Sequence, residues 1–467
     1  MSRPTSAIAT LARLAIPVIG LNLLTVLTLA VDTAMVGRLP DAELALAALG
    51  FAGQVAFLLL VAMIGVTVGT VAMVARAHGA GDSARVNHVL AQSSQLTVLL
   101  GIAVAIVANL LARPILTALG ASPEVTDTAL SYLRPLMAGT VFPYLVLLYA
   151  AVLRGVGNTR LPFFVALGQN AINIVLNYGL ILGNLGMPGL GVTGAAVASV
   201  ASQAIGASIL AWILASGRLG ALRLTLRPRR IDRSVASELG KVGAPAALDL
   251  VIVNASFLAI VGMLGRISEA AVAAHGVGLR VQGLAFVPAL GVSQATAALV
   301  GQALGANDVE GAKRTLRASV LLSMTISSAI AAVLIAFAYQ VVGIFDVPSG
   351  TELESFAVMW IYLLGFGMPI TGIFMGFVGL LMGAGRTGTN LRINAAVTFT
   401  FQIPASVILG FVLGLGALGI WMAFPLAFAA KLALALAAYR SGRWAVTGLS
   451  PLGAPPEPQA APNRPAP

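Results

Sequence analysis

Apolar residues in this chain neither alternate nor recur as a narrow stripe. They come in long runs separated by short polar connections. In the first half such runs fall at 14–36, 49–75, 89–111, 129–153, 161–183 and 190–215. After a basic connection six more follow, at 242–264, 274–299, 318–345, 356–382, 393–413 and 418–439. An α-helix crosses a bilayer with about 20 apolar residues, so the pattern predicts an all-α membrane protein with twelve transmembrane helices. The first run is too long for a secretory leader, and a second follows almost at once, so it reads as a span.

The two sets of six are related. At one constant offset Pro17 meets Pro245, Gly37-Arg38-Leu39 meets Gly265-Arg266-Ile267, Gly50 meets Gly278, and Gln54 meets Gln282. The same offset pairs Gly155, Gly157 and Thr159 with Gly383, Gly385 and Thr387. At an offset shorter by two, Val74, Gly79-Ala80 and Asp82 meet Val300, Gly305-Ala306 and Asp308. An even number of helices per repeat gives two parallel lobes about an axis along the membrane normal, with a cavity between them alternately exposed. The expected division is an N-lobe at 1–216, a basic cytoplasmic linker at 217–241, a C-lobe at 242–445 and a Pro-rich disordered tail at 446–467. A duplication that merely builds a bundle is the plainer alternative.

Composition agrees with residence in lipid. Hydrophobic residues make up 58% of the 467, charged residues 9%, and the mean hydropathy is +0.96. A soluble domain carries about 25% charged residues, so an ordinary globular enzyme, a disordered chain and a nucleic-acid binder are excluded, despite a net charge of +11. With no cysteine there is no disulfide, iron–sulfur cluster or thiolate zinc site. His78, His88 and His275 are far apart, and no glycine-rich phosphate loop occurs, so no cofactor is expected. If the N-terminus is cytoplasmic, 22 of the 27 basic residues fall on the inner side, and both termini lie inside. The positive charge is thus a topology signal, helped by anionic lipid.

Acids inside spans are costly and mark function by default. Two qualify, Asp32 and Asp249. Asp32 lies about 27 Å beyond Leu14 along its helix, in the outer half of the first span, and its repeat partner is Ile260. A carboxyl withdrawn from water favours its protonated form, so proton and cation compete for it; pairing with Arg38 near the helix end is the alternative. In the fifth span Asn170, Asn173 and Asn177 share one helical face, offering oxygens to a cation or donors to a carboxylate, or serving as an interhelical hydrogen-bond cluster. Asp249, four residues after Pro245, either binds substrate cations or reaches the cytoplasmic interface. His275 and Arg280 read as structural partners of acids or carbonyls, and Lys431 as a snorkelling side chain. The glycine-rich stretches at 155–159 and 383–387 read as tight turns with no ligand role.

Several stretches together are similar to the multidrug and toxic compound extrusion (MATE) transporters. They are Val31-Asp32-Thr33-Ala34-Met35-Val36-Gly37-Arg38, Tyr132-Leu133-Arg134, Arg154-Gly155-Val156-Gly157-Asn158-Thr159 and Val300-Gly301-Gln302-Ala303-Leu304-Gly305-Ala306. The match covers residues 11–444, and the first motif is closest to the branch named after DNA-damage-inducible protein F. The resemblance implies two six-helix lobes around a V-shaped cavity, with Asp32 as the main coupling residue. It places Asn173 at the family's fifth-span asparagine, Tyr132 at the fourth-span tyrosine and Ser199 at a sixth-span hydroxyl position. Where many members carry a second aspartate this chain has Asn177, which favours H⁺ over Na⁺ as the coupling ion. The family's second-half acidic pair is absent unless Asp249 replaces one member.

The expectation is a secondary antiporter of a bacterial cytoplasmic (inner) membrane, working as a monomer. It would export cationic or amphipathic compounds in exchange for H⁺, with Na⁺ at Asp32 as the alternative. A lipid-precursor flippase on a related fold would line its cavity with more charge than these spans supply. An intramembrane enzyme would need paired acids, a serine–lysine pair or a histidine cluster at depth, and none is visible.

Overall fold

The computed structural model describes residues 4–220, 222–225, 230–449 and 452. In the first half α1 (Pro4–Val36), α2 (Ala42–Gly79) and α3 (Ser83–Ala118) lead into α4 (Pro123–Ala138) and α5 (Val141–Gly155). This half ends with α6 (Arg160–Leu180) and α7 (Val192–Ala215). The second half holds α8 (Arg233–Leu264), α9 (Glu269–Gly305), α10 (Val309–Ala336), the short α11 (Ala338–Gly343) and α12 (Glu352–Gly383). It closes with α13 (Thr387–Val397), α14 (Ile403–Val407) and α15 (Gly416–Arg440).

Among the described residues eleven stretches are long and apolar enough to cross a membrane, and α4 with α5, bent by 52°, supplies the twelfth. That bend has a local cause. Thr140 Oγ1 donates back to Met137 O at 2.7 Å, and Gly139 lies so close to the Val200 side chain that a Cβ would collide with it. The eleventh span, Thr387–Val412, is also irregular, with π-helical turns at Thr398–Gln402 and Ile408–Val412 on either side of α14.

The faces turned outward fit hydrocarbon. On α3, Leu99, Ile102, Ile106 and Leu110 form an exposed stripe at helical spacing, with Leu110 at 73% exposure. In water such a patch would drive association; against acyl chains it needs no partner.

The halves meet at the end of the bundle where α2, α5, α9 and α12 terminate, which carries Arg76, Arg154 and Arg386. Small residues let backbones approach closely there. Gly65 abuts Gly243, Gly79 abuts Gln302, and Gly305 abuts Arg76, each so tightly that a Cβ would overlap the opposing backbone. Hydrogen bonds cross the same seam. Arg76 reaches Ala384 O at 3.2 Å, Arg154 reaches Gln294 Oε1 at 3.0 Å, and Gln302 Nε2 donates to Gly155 O at 2.8 Å. The paired glycine turns behave as their sequences predict, with φ of +84° at Gly157 and +69° at Gly385.

Two expectations need correction. The linker assigned to 217–241 is shorter, because α8 already begins at Arg233. Asp232 caps that helix, accepting from Ser234 N at 2.9 Å, and hydrogen bonds from Ser234 and His88 hold its carboxyl below the usual carboxylate range. Nor is the tail disordered from 446. Val446 O accepts from Arg76 at 2.8 Å, Gly448 N donates to Leu304 O at 2.9 Å, and Leu452 is buried in the cluster containing Leu153 and Leu210. Residues 453–467 lie outside the described residues.

Gly305→Leu should therefore force the halves apart and cost about 1–3 kcal/mol by overpacking. The readout is the temperature at which detergent-solubilised protein aggregates. Gly262→Ala, where a Cβ meets nothing within 4 Å, is the control; equal effects at both positions would contradict the assigned seam.

Candidate functional site

Asp32 sits in the last turns of α1, on the side that packs against α6. That packing is close because Gly20 has no side chain: a Cβ there would meet the Phe163 ring at 2.6 Å. One turn below Asp32, Thr28 Oγ1 donates to Asn170 Oδ1 and pins the two helices together. Asp32 is 5% exposed, and its neighbours are neutral. Asn177 Nδ2 donates to Asp32 Oδ1 and lies 3.1 Å from Asn173 Oδ1. Ser199 Oγ, from α7, is 3.5 Å from Asp32 Oδ2. Tyr132 of α4 packs beside Val36 and Ile181.

The structure thus joins Asp32, Asn173, Asn177 and Ser199 in one cluster, puts Tyr132 at its edge and gives Asn170 a separate bond to Thr28. Arg38, the alternative partner of Asp32, makes no ion pair with it among the described residues. The cluster holds unspent capacity: among the described residues Asn173 Nδ2 and Asn177 Oδ1 are buried without partners. A buried carboxylate held only by neutral dipoles is expensive, so binding a proton or a cation is a direct way to lower its energy.

The second half contains a related arrangement, in which both asparagines reach the carboxylate. Asn394 Nδ2 donates to Asp249 Oδ1 at 2.8 Å, and Asn390 Nδ2 donates to Oδ2 at 2.8 Å. Asp32, Asn173 and Asn177 map onto Asp249, Asn390 and Asn394 at a single offset. That offset is shorter by eleven than the one relating Pro17 to Pro245, so the copy has slid back equally along both of its helices. Eleven residues are about three turns and about 16 Å, which keeps the cluster on the same face while carrying it towards the seam between the halves. Asp249 is half-buried and faces Asn390, four residues after Arg386, so it lies towards the arginine-bearing end of the span.

Around Asp249 lies a cavity of about 350 Å³, within the roughly 300–1,000 Å³ usual for ligand sites. Phe257, Phe286, Phe424 and Phe428 line it together with Lys431. Lys431 is 7% exposed and does not snorkel; its Nζ lies 5.3 Å from the centre of the Phe428 ring. His275, expected beside an acid or carbonyl, instead sits among Trp360, Trp421 and Phe424, with neither ring nitrogen bonded among the described residues. Arg280 is exposed and outside any ion pair among the described residues.

Residues 17–179 and 245–408 match the MatE family. The chain belongs to that family. The two matched segments begin at Pro17 and Pro245, the same pair that opens the internal repeat. Among curated relatives of this MatE protein, "Probable multidrug resistance protein NorM" of Thermotoga maritima is 29% identical over 435 residues, 93% of this chain and 92% of that one. "Multidrug resistance protein NorM" of Burkholderia vietnamiensis is 30% identical, with 88% of each chain covered. A solved structure titled "Outward-facing conformation of a multidrug resistance MATE family transporter of the MOP superfamily" matches with a TM-score of 0.85. It covers 95% of this chain and 96% of that one at 24% identity, a likeness of fold. As a MatE protein the chain is a multi-pass membrane transporter, not an enzyme.

Sequence reasoning missed Asn390, Asn394 and the cavity position of Lys431. Pairs of asparagine at i and i+4 in equivalent spans were the available signal, but a search at the offset of the helices steps over a cluster displaced by three turns.

If Asn177 serves the carboxylate, Asn177→Ala should cost about 1–3 kcal/mol, the penalty for a buried group left unpaired. In an Asp32→Leu background the same substitution should cost much less. A double-mutant cycle on thermal stability reads the difference, and additive costs would contradict the pairing.

Proposed function

We propose that this MatE protein exports cationic or amphipathic organic compounds across a bacterial cytoplasmic membrane in exchange for inward H⁺, as a monomer. The observation that carries this reading is Asp32, an acid 5% exposed inside a span and held by neutral groups alone. The relatives' names supply the substrate class: both NorM proteins are called multidrug resistance proteins.

The chemistry follows from the donors. Ionised, Asp32 takes hydrogen from Asn177 Nδ2 and offers one negative charge to a cation. A proton arriving on either oxygen removes that charge and turns an acceptor into a donor. The buried and unpartnered Asn177 Oδ1 is the acceptor at hand, provided the amide turns. Cation and proton thus compete for one carboxylate. The protein moves between conformations only as far as their affinities for the two states differ. A hard metal cation collects several oxygen ligands, whereas an amide NH₂ and a hydroxyl face Asp32. That supports H⁺ over Na⁺.

The direction of transport rests on the basic end. Arginine and lysine outside the spans mark the cytoplasmic face, so the tight seam at Arg76, Arg154 and Gln302 closes the inner side, and both termini are cytoplasmic. Lys431, being interior, leaves that topology count without altering its sign.

In proteoliposomes with a pH gradient imposed across them, ethidium efflux should proceed, and Asp32→Asn should reduce it at least about tenfold, the loss of roughly 1.4 kcal/mol or more of coupling. A Na⁺ gradient alone should drive none. Export unimpaired in Asp32→Asn, or driven by Na⁺ alone, would overturn the assignment.

A further inference from the structure

The two carboxylate–amide clusters carry different charge. Among the described residues Asp32 has no cation paired with it, whereas Asp249 shares its cavity with Lys431. Lys431 and Asp249 line one cavity with no ion pair between them among the described residues. Among the described residues its ammonium has no hydrogen bond or ion pair; its near neighbour is the face of Phe428. An ammonium has three donors and no acceptor, so all three are uncommitted. Asp249 spends one lone pair of each oxygen on Asn394 and Asn390 and keeps the others. The space between is walled by rings: Phe257 and Phe424 are stacked at 6.3 Å with 17° between their planes, and Phe286 and Phe428 meet edge to face at 6.3 Å.

A lone cation would meet Lys431, and a lone anion would meet Asp249. A ligand that carries one charge of each sign on an aromatic frame satisfies both and leaves no charge unpaired in the cavity. We infer that this second-half cavity is a binding subsite for aromatic zwitterions, with Lys431 holding the carboxylate, Asp249 the ammonium, and the phenyl rings the aromatic body. The inference rests on the transport reading for its purpose and on this cavity alone for its chemistry. The π-helical turn at Thr398–Gln402 ends on Gln402, which lines the same cavity as Asn394.

Three fluorescent probes with one ring system test the charge pattern: dansyl-lysine, a zwitterion; dansylcadaverine, a cation; and dansyl-6-aminohexanoate, an anion. Equilibrium binding is measured to purified protein in phosphatidylcholine nanodiscs. Dansyl-lysine should bind at least about tenfold more tightly than either relative. Lys431→Met should erase its advantage over dansylcadaverine, and Lys431→Arg should keep it. Asp249→Asn should erase its advantage over dansyl-6-aminohexanoate. Because each variant is judged by a ratio between probes, general loss of folded protein leaves the ratio unchanged and cannot imitate the result. Equal affinity for the three probes in the native protein, or Lys431→Met weakening all three alike, would overturn the inference. Failure of proton-driven export to depend on Asp32 would sink the transport reading and leave these ratios standing.

Discussion

Inside a bilayer no water is available to a polar group, so each must find its partner within the protein or remain a liability. Asp32 is where that constraint presses hardest. Its carboxylate is served by Asn177 and Ser199, from two other helices, and the positions of α1, α6 and α7 follow from that need. The close approach of α1 to α6 at Gly20 and the Thr28–Asn170 bond below it make the geometry possible. The amide atoms left unpartnered beside Asp32 show that the solution is incomplete. A group that is neither fully satisfied nor free is poised to respond to a proton.

Gene duplication gave the chain a second helix pair of the same kind, and its carboxylate–amide cluster obeys the same constraint. What changed is depth and company. A slide of eleven positions preserves the face of a helix because it is close to three whole turns. The copied cluster then falls among phenylalanines and shares its cavity with Lys431, which brings a positive charge to the same space as Asp249. One half therefore presents a net negative pocket and the other a neutral but polarised one. In the proposed mechanism the first couples transport to protons and the second widens the range of cargo.

Much of this was legible in the chain. Twelve spans were readable because hydrocarbon demands long apolar runs, and the bent α4–α5 pair and the π-helical eleventh span are where the runs overstated regularity. Asp32 stood out as an acid with no business in lipid, and Asn173 and Asn177 by their shared face. Three things were hidden for physical reasons. Lys431 looks like a snorkelling residue, but its ammonium instead lies by Phe428 of its own helix and lines the cavity that Asp249 enters from α8. His275 looks like a polar partner, yet burial among Trp360, Trp421 and Phe424 makes it part of an aromatic cluster. Proline-rich composition masked the beginning of the tail, where Val446 and Leu452 are held by Arg76 and a core cluster formed far away in sequence.

The central claim is that Asp32 exchanges a proton for a cationic ligand. Infrared difference spectroscopy sees this directly, since only a protonated carboxyl shows the high-frequency C=O stretch. Adding tetraphenylphosphonium to the protein under mildly acidic conditions should remove one such band. The band change should vanish in Asp32→Asn and persist in Asp249→Asn. Its absence from the native protein, or its survival in Asp32→Asn, would contradict the exchange.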